Sequence, residues 1–204
     1  KHEHIWEVEC NEYPSATPIY VDSRLLAPTE NPEERRKQMP DADHLLKTLE
    51  NMVGVRYFWG GNWPKGIDLL SLYEKPGKIE QTDMDDALCR GVDCSGLLYY
   101  ATHGCTPRNT SQLVNYGTNI PARDLNAEVI SKIVKPLDLV VWRGHVMIVL
   151  PGDRLIESRI GKGVTISTFI PLMEATIKTL AKQEKPFYIR RWHPLSPSEF
   201  CSSQ

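Results

Sequence analysis

Apolar positions along this chain change their period near its middle. In "DADHLLKTLENMVG", Leu45, Leu46, Leu49, Met52 and Val53 fall on one helical face, with Asp41 placed to cap the start and Gly54 to stop the end. "SGLLYYATH" predicts a second helix over 95–103, with Leu97, Leu98 and Ala101 facing a core, and 110–116 reads as a short third one. Beyond that the spacing becomes that of strands. "DLVVW", "HVMIVL", "RLIES" and "GVTIST" are short apolar runs parted by "RG", "PGD" and "RIGK", which predicts a meander of antiparallel hairpins. A surface helix over "PLMEATIKTLAKQ" and a last strand, "PFYIRRW", complete the pattern. Helices first and a strand meander afterwards predict an α+β fold.

The rest of the chain is less regular. Residues 1–40 are rich in Pro, Glu and Arg; "TPIYVDSRLLAP" predicts one or two strands and "TENPEERRKQMP" a solvated connector. Forty residues are few for an independent domain, so we expect an arm packed on a main domain over 41–204. "VRYFWGGNWPKG" reads as an aromatic strand running into a Gly-Gly turn, and 64–90 as an irregular segment punctuated by Pro and Gly. Asp83, Asp85 and Asp86 in that segment lack the spaced ligands and central Gly of a calcium loop. A solvated acidic turn is expected there, and no metal or cofactor is called for. His44, beside the first helical stripe, reads as a surface or packing histidine. No internal repeat or low-complexity tract appears.

Composition narrows the function classes. The 204 residues suit one domain, and a net charge of −2 offers no basic stripe for nucleic acid. No apolar run approaches the roughly 18 residues of a membrane span. The odd count of cysteines, Cys10, Cys89, Cys94, Cys105 and Cys201, leaves at least one thiol unpaired and fits no zinc spacing. A disulfide among the others stays open, so cysteine usage does not settle the compartment. The start at Lys1, without Met or an apolar leader, fits a mature chain whose signal peptide was removed. Nothing in the sequence signals an oligomeric state.

One stretch carries chemistry. In "RGVDCSGLLYY", Cys94 follows an acid and opens a helix, where unpaired backbone N–H groups and the positive dipole end favour a thiolate over a thiol. A thiolate attacking an amide needs a general acid for the leaving amine. His145, at the start of "HVMIVL", is the candidate, and Glu157 on the next strand is placed as its cross-strand neighbour to orient the imidazole. Taken singly, each of these residues reads as readily as structural; only the combination points to a nucleophilic site.

These motifs resemble the NlpC-type cysteine peptidases of bacterial cell walls. "YFWGG" is similar to the family's aromatic-Gly-Gly motif and "DCSGLLYY" to its nucleophile helix. "TPRNTSQL" is similar to its Pro-Arg segment, "KPLDLVVW" to its Pro-Gly-Asp-Leu strand and "GHVMIVL" to its histidine strand, all in family order over roughly 45–168. The resemblance implies a papain-like fold, with a nucleophile helix packed on an antiparallel meander. It implies hydrolysis of peptidoglycan stem peptides in the cell envelope, commonly between γ-D-glutamate and a diamino acid such as meso-diaminopimelate. Cys94 then matches the nucleophile, His145 the base and Glu157 the orienting residue, while Tyr57, Asp93 and Ser95 match positions lining the substrate groove. An amidase or acyltransferase on the same scaffold is the alternative within enzymes, and a non-catalytic wall-binding protein the alternative outside them. The sequence departs from the family in three places. Glu157 stands where His is usual, and Leu137 where Gly is usual. An insertion over about 62–91 separates "WGG" from "DCSG", and by its position it is expected to reshape one wall of the groove.

Overall fold

The computed structural model describes residues 3–10, 16–30, 37–73 and 80–193, which excludes Cys201 and half of the connector expected over 29–40. Contacts divide the chain into two compact units, 1–36 and 37–204, a boundary four residues before the one expected. In the first unit, β1 (Ile5–Val8) pairs antiparallel with β2 (Ile19–Asp22), Ile5 opposite Asp22. The strand expected within 17–28 is therefore β2; its partner β1 was not foreseen. Asp22 then caps a 3-10 turn at Ser23–Leu25 and pairs with Arg24 at 2.6 Å.

The second unit opens with α1 (Ala42–Asn51), whose first turn is held by the Asp41 carboxylate accepting from the His44 backbone N–H at 2.8 Å. Leu45 and Leu49 are fully buried, each worth about 1.5–3 kcal/mol relative to exposure. Val53 stays 49% exposed, because the helix has ended by Met52. The strand expected next, over 55–59, does not form. Its backbone bonds go to two partners: Val55 pairs with Val164, while Arg56 and Phe58 bond Val92. Neither partner runs alongside long enough to make a ladder.

The next chain segment departs further from expectation. β3 (Asn62–Trp63) and β4 (Gly91–Val92) form a two-residue antiparallel ladder that encloses the insertion. Inside it lie a 3-10 helix, Asp68–Tyr73, and α2 (Gln81–Ala87), so the three acids stand on a helix and not on a turn. Asp86 pairs with Arg56 at 2.6 Å and Asp85 with Arg90 at 2.7 Å, and among the described residues no acidic cluster fit for a metal exists. A backbone bond from Ile67 N–H to the Leu88 carbonyl, 2.8 Å, closes the neck of the excursion. The excursion leaves the ladder at the end remote from Cys94, since Gly61 and Asp93 flank the other end. That direction gives no support to a wall over the groove.

The remaining elements build the core. They are α3 (Cys94–Ala101), α4 (Thr110–Leu113), β5 (Thr118–Ile120), α5 (Ala127–Ile133), β6 (Leu139–Trp142), β7 (His145–Leu150), β8 (Arg154–Arg159), β9 (Gly163–Thr168), α6 (Phe169–Lys182) and β10 (Tyr188–Arg191). Six strands form one antiparallel sheet in the order β5-β10-β6-β7-β8-β9. Both faces are covered, which is why β6 and β7 read as nearly continuous apolar runs. Val146, Ile148 and Leu150 face α1 and α3, while Met147 and Val149 face Phe169 and Met173 of α6 and Ile130 of α5. The helix expected at the surface is thus half of a second core. Leu137 sits at φ +71, in the left-handed region where glycine is unstrained. Its buried side chain and its backbone bond to Val149 hold it there.

Candidate active site

The site starts from the cap of α3. The Asp93 carboxylate accepts from Gly96 N–H at 2.6 Å and from Gly60 N–H at 3.0 Å, which fixes Cys94 as the first helical residue. Arg108 grips the same carboxylate with both terminal nitrogens, at 3.0 and 2.9 Å, and also donates to Ser95 Oγ at 2.9 Å and to the Gly61 carbonyl at 3.1 Å. One guanidinium therefore ties the aromatic-Gly-Gly turn, the nucleophile helix and the "TPRNT" segment together. The packing leaves no room for a side chain at position 96, where a Cβ would collide with the Gly61 carbonyl.

The structure brings Cys94, His145 and Glu157 together. Cys94 is 7% exposed at the start of α3, close enough to the His145 ring to raise its proton affinity. His145 Nε2 lies 2.5 Å from Glu157 Oε2. The strand register sets Ile148 opposite Ile156, so Glu157 stands opposite Met147 and reaches His145 diagonally instead of directly. Burial works to lower the His145 pKa, but the bonds and charges of Cys94 and Glu157 outweigh it and raise it to about 9. His145 is then an imidazolium at neutral pH, beside a carboxylate that is 3% exposed. A helix-start cysteine beside a histidine that a carboxylate holds is an arrangement suited to acyl transfer.

Tyr57 is half-buried beside this group; burial first, then the Cys94 sulfur and the Asp93 carboxylate, push its hydroxyl pKa up against the pull of Arg108. Asp93 and Ser95 are buried in the Arg108 network, the position of supports beneath the nucleophile. Three neighbours had no role assigned from the sequence: Arg108, Trp142, whose ring centroid is 5.1 Å from that of His145, and Arg159, 3.4 Å from Glu157 Oε1. Arg159 lies two residues beyond Glu157 on one strand, so the period-two rule alone could have found it.

No family model matches the chain, and no curated protein matches it. Solved structures do. The peptidoglycan hydrolase RipB of Mycobacterium tuberculosis is 22% identical, over 74% of this chain and 63% of that one, with a TM-score of 0.47. An NlpC/P60 family protein of Bacillus cereus is 19% identical over 87% and 45%, with a TM-score of 0.49. RipD of Mycobacterium tuberculosis, a non-catalytic NlpC/p60 domain protein adapted to peptidoglycan binding, is 20% identical over 74% and 95%, with a TM-score of 0.45. This chain spans less than two thirds of the length of the first two. With its capped cysteine helix laid on an antiparallel meander and a histidine opening the second strand of that meander, the chain has an α+β fold, similar in arrangement to these NlpC/P60 structures.

Proposed function

We propose that this protein is a cysteine endopeptidase of the cell envelope that cleaves peptidoglycan stem peptides, at the bond between γ-D-glutamate and a diamino acid. The contact of a helix-start cysteine with a histidine that a buried glutamate holds carries the reading. In this reading Cys94 Sγ attacks the carbonyl carbon, and His145 gives its proton to the leaving nitrogen as the C–N bond breaks. The thioester that remains is opened by water, which passes a proton back to His145 and releases the acid and the Sγ thiolate. Glu157 holds the ring in one tautomer throughout, and Tyr57 borders the reacting sulfur.

Defined muropeptides incubated with the protein, with products weighed by mass spectrometry, test this. We expect two fragments whose masses sum to the substrate plus one water, with the new ends at the γ-D-glutamyl bond. Cys94→Ala should lower the rate by roughly 10⁴-fold or more. Fragments joined to an added amine instead of water would identify an acyltransferase. Tight binding without any cleavage would identify a wall-binding protein.

A further inference from the structure

The two residues that react in the proposed function come from separate elements, Cys94 from the start of α3 and His145 from the start of β7. Acyl transfer needs such a pair within hydrogen-bond reach, and a misplacement of about 1 Å can cost ~100-fold in rate. The segment from Arg108 to Thr110 touches the mounting of both. Arg108 holds the cap of the cysteine helix through Asp93, Ser95 and the Gly61 carbonyl. Two residues on, Thr110 Oγ1 accepts from the Gly144 backbone N–H at 3.0 Å.

Gly144 immediately precedes His145. Trp142 pairs with His145 across the ladder, so Arg143 and Gly144 alone form the turn between β6 and β7. Gly144 adopts φ +109, a backbone conformation that suits glycine, and a Cβ built there would meet nothing within 4 Å. Glycine therefore serves the shape of the turn, and the bond to Thr110, not packing at this point, restrains it. Thr110 in turn stands on α4, where Leu113 and the following Val114 are buried in the same core as α3. We infer that Thr110 is a positioning residue for the reaction: it holds Gly144 while Arg108 holds Asp93, so that the 108–110 segment fixes His145 relative to Cys94. The inference rests on the hydrolase reading for its kinetics, but the coupling of Cys94 to His145 can be measured without a substrate.

The test uses the full chain carrying Thr110→Val, which keeps the shape of the side chain and removes the acceptor, and Thr110→Ser, which keeps the acceptor. In Thr110→Val the His145 titration midpoint, followed by NMR, should fall from about 9, because the share of its rise due to Cys94 weakens with distance while Glu157 stays in place. Iodoacetamide should alkylate Cys94 at least ~5-fold more slowly at neutral pH. On a stem peptide, kcat should fall ~10- to 100-fold with KM little changed. Thr110→Ser should restore all three. A parent-like titration and alkylation rate in Thr110→Val would overturn the inference. So would equal losses in Thr110→Val and Thr110→Ser, or losses that track a lowered urea midpoint. If the parent protein cleaves no stem peptide, the proposed function fails, while titration and alkylation still decide on Thr110.

Discussion

His145 has two acidic partners that pull its proton affinity upward, and burial that pulls it down. Removing the charge of one partner should show which side wins. Glu157→Gln keeps a hydrogen bond to the ring but not the charge, so the His145 pKa should fall from about 9 toward its ordinary 6.5, read by NMR titration. Turnover should drop ~10- to 1000-fold, less than in Cys94→Ala. An unmoved titration midpoint would remove Glu157 from this role. The same shift sets a pH dependence of stability. A histidine whose pKa is higher folded than unfolded stabilises fully below about 6.5, and that contribution disappears as pH rises through about 9. Denaturant midpoints should therefore decline between neutral and alkaline pH, and less so in Glu157→Gln. Cys94 and His145 were legible in the sequence because each opens a strongly patterned element, and Glu157 because a short hairpin sets its strand beside that of His145. Arg108 was matched only as part of a motif, with no role, since its partner Asp93 lies 15 residues away and nothing local marks an ion pair across a turn.

Among elements, α3 is the one whose placement everything else serves. It rests on the Gly61 backbone at Gly96, so Gly96→Ala should force the helix off its seat and cost about 1–3 kcal/mol or more. Urea denaturation would measure the loss, and a stability within experimental error of the parent would show that the helix is seated elsewhere. The hairpins from β6 to β9 were readable because each strand pairs with the next across a short turn. β5 and α5 were not, since three and seven residues hold too little periodicity to rise above the background. α2 was missed for another reason. Its seven residues are mostly acids and amides, and arginines outside the helix, Arg56 and Arg90, hold it in place. The 55–58 segment was misread because composition reports a preference for extended backbone, not the number of partners it will find.

For the whole molecule, the α+β class and the run of strands from β6 to β9 followed from pattern alone. The sheet order did not. The last strand, β10, returns to lie between β5 and β6, an insertion that depends on contacts between distant parts of the chain. The excursion between β3 and β4 gives a prediction at this scale. Its neck is closed by the bond from Ile67 to Leu88, so replacing residues 68–86 by a short Gly/Ser linker should leave Leu88 buried and the fold intact. The lost ion pairs are partly exposed, worth about 0–1 kcal/mol each, and the melting temperature should move by only a few degrees. A collapse of the fold would mean that the excursion is structural. The closed neck has a further consequence. Closure entropy grows slowly, about 0.6 kcal/mol for each doubling of length, so the chain tolerates cargo at this point. A reporter domain or a targeting module grafted between Ile67 and Leu88 would hang from the neck, while the cysteine and histidine beyond the β3–β4 ladder kept their spacing.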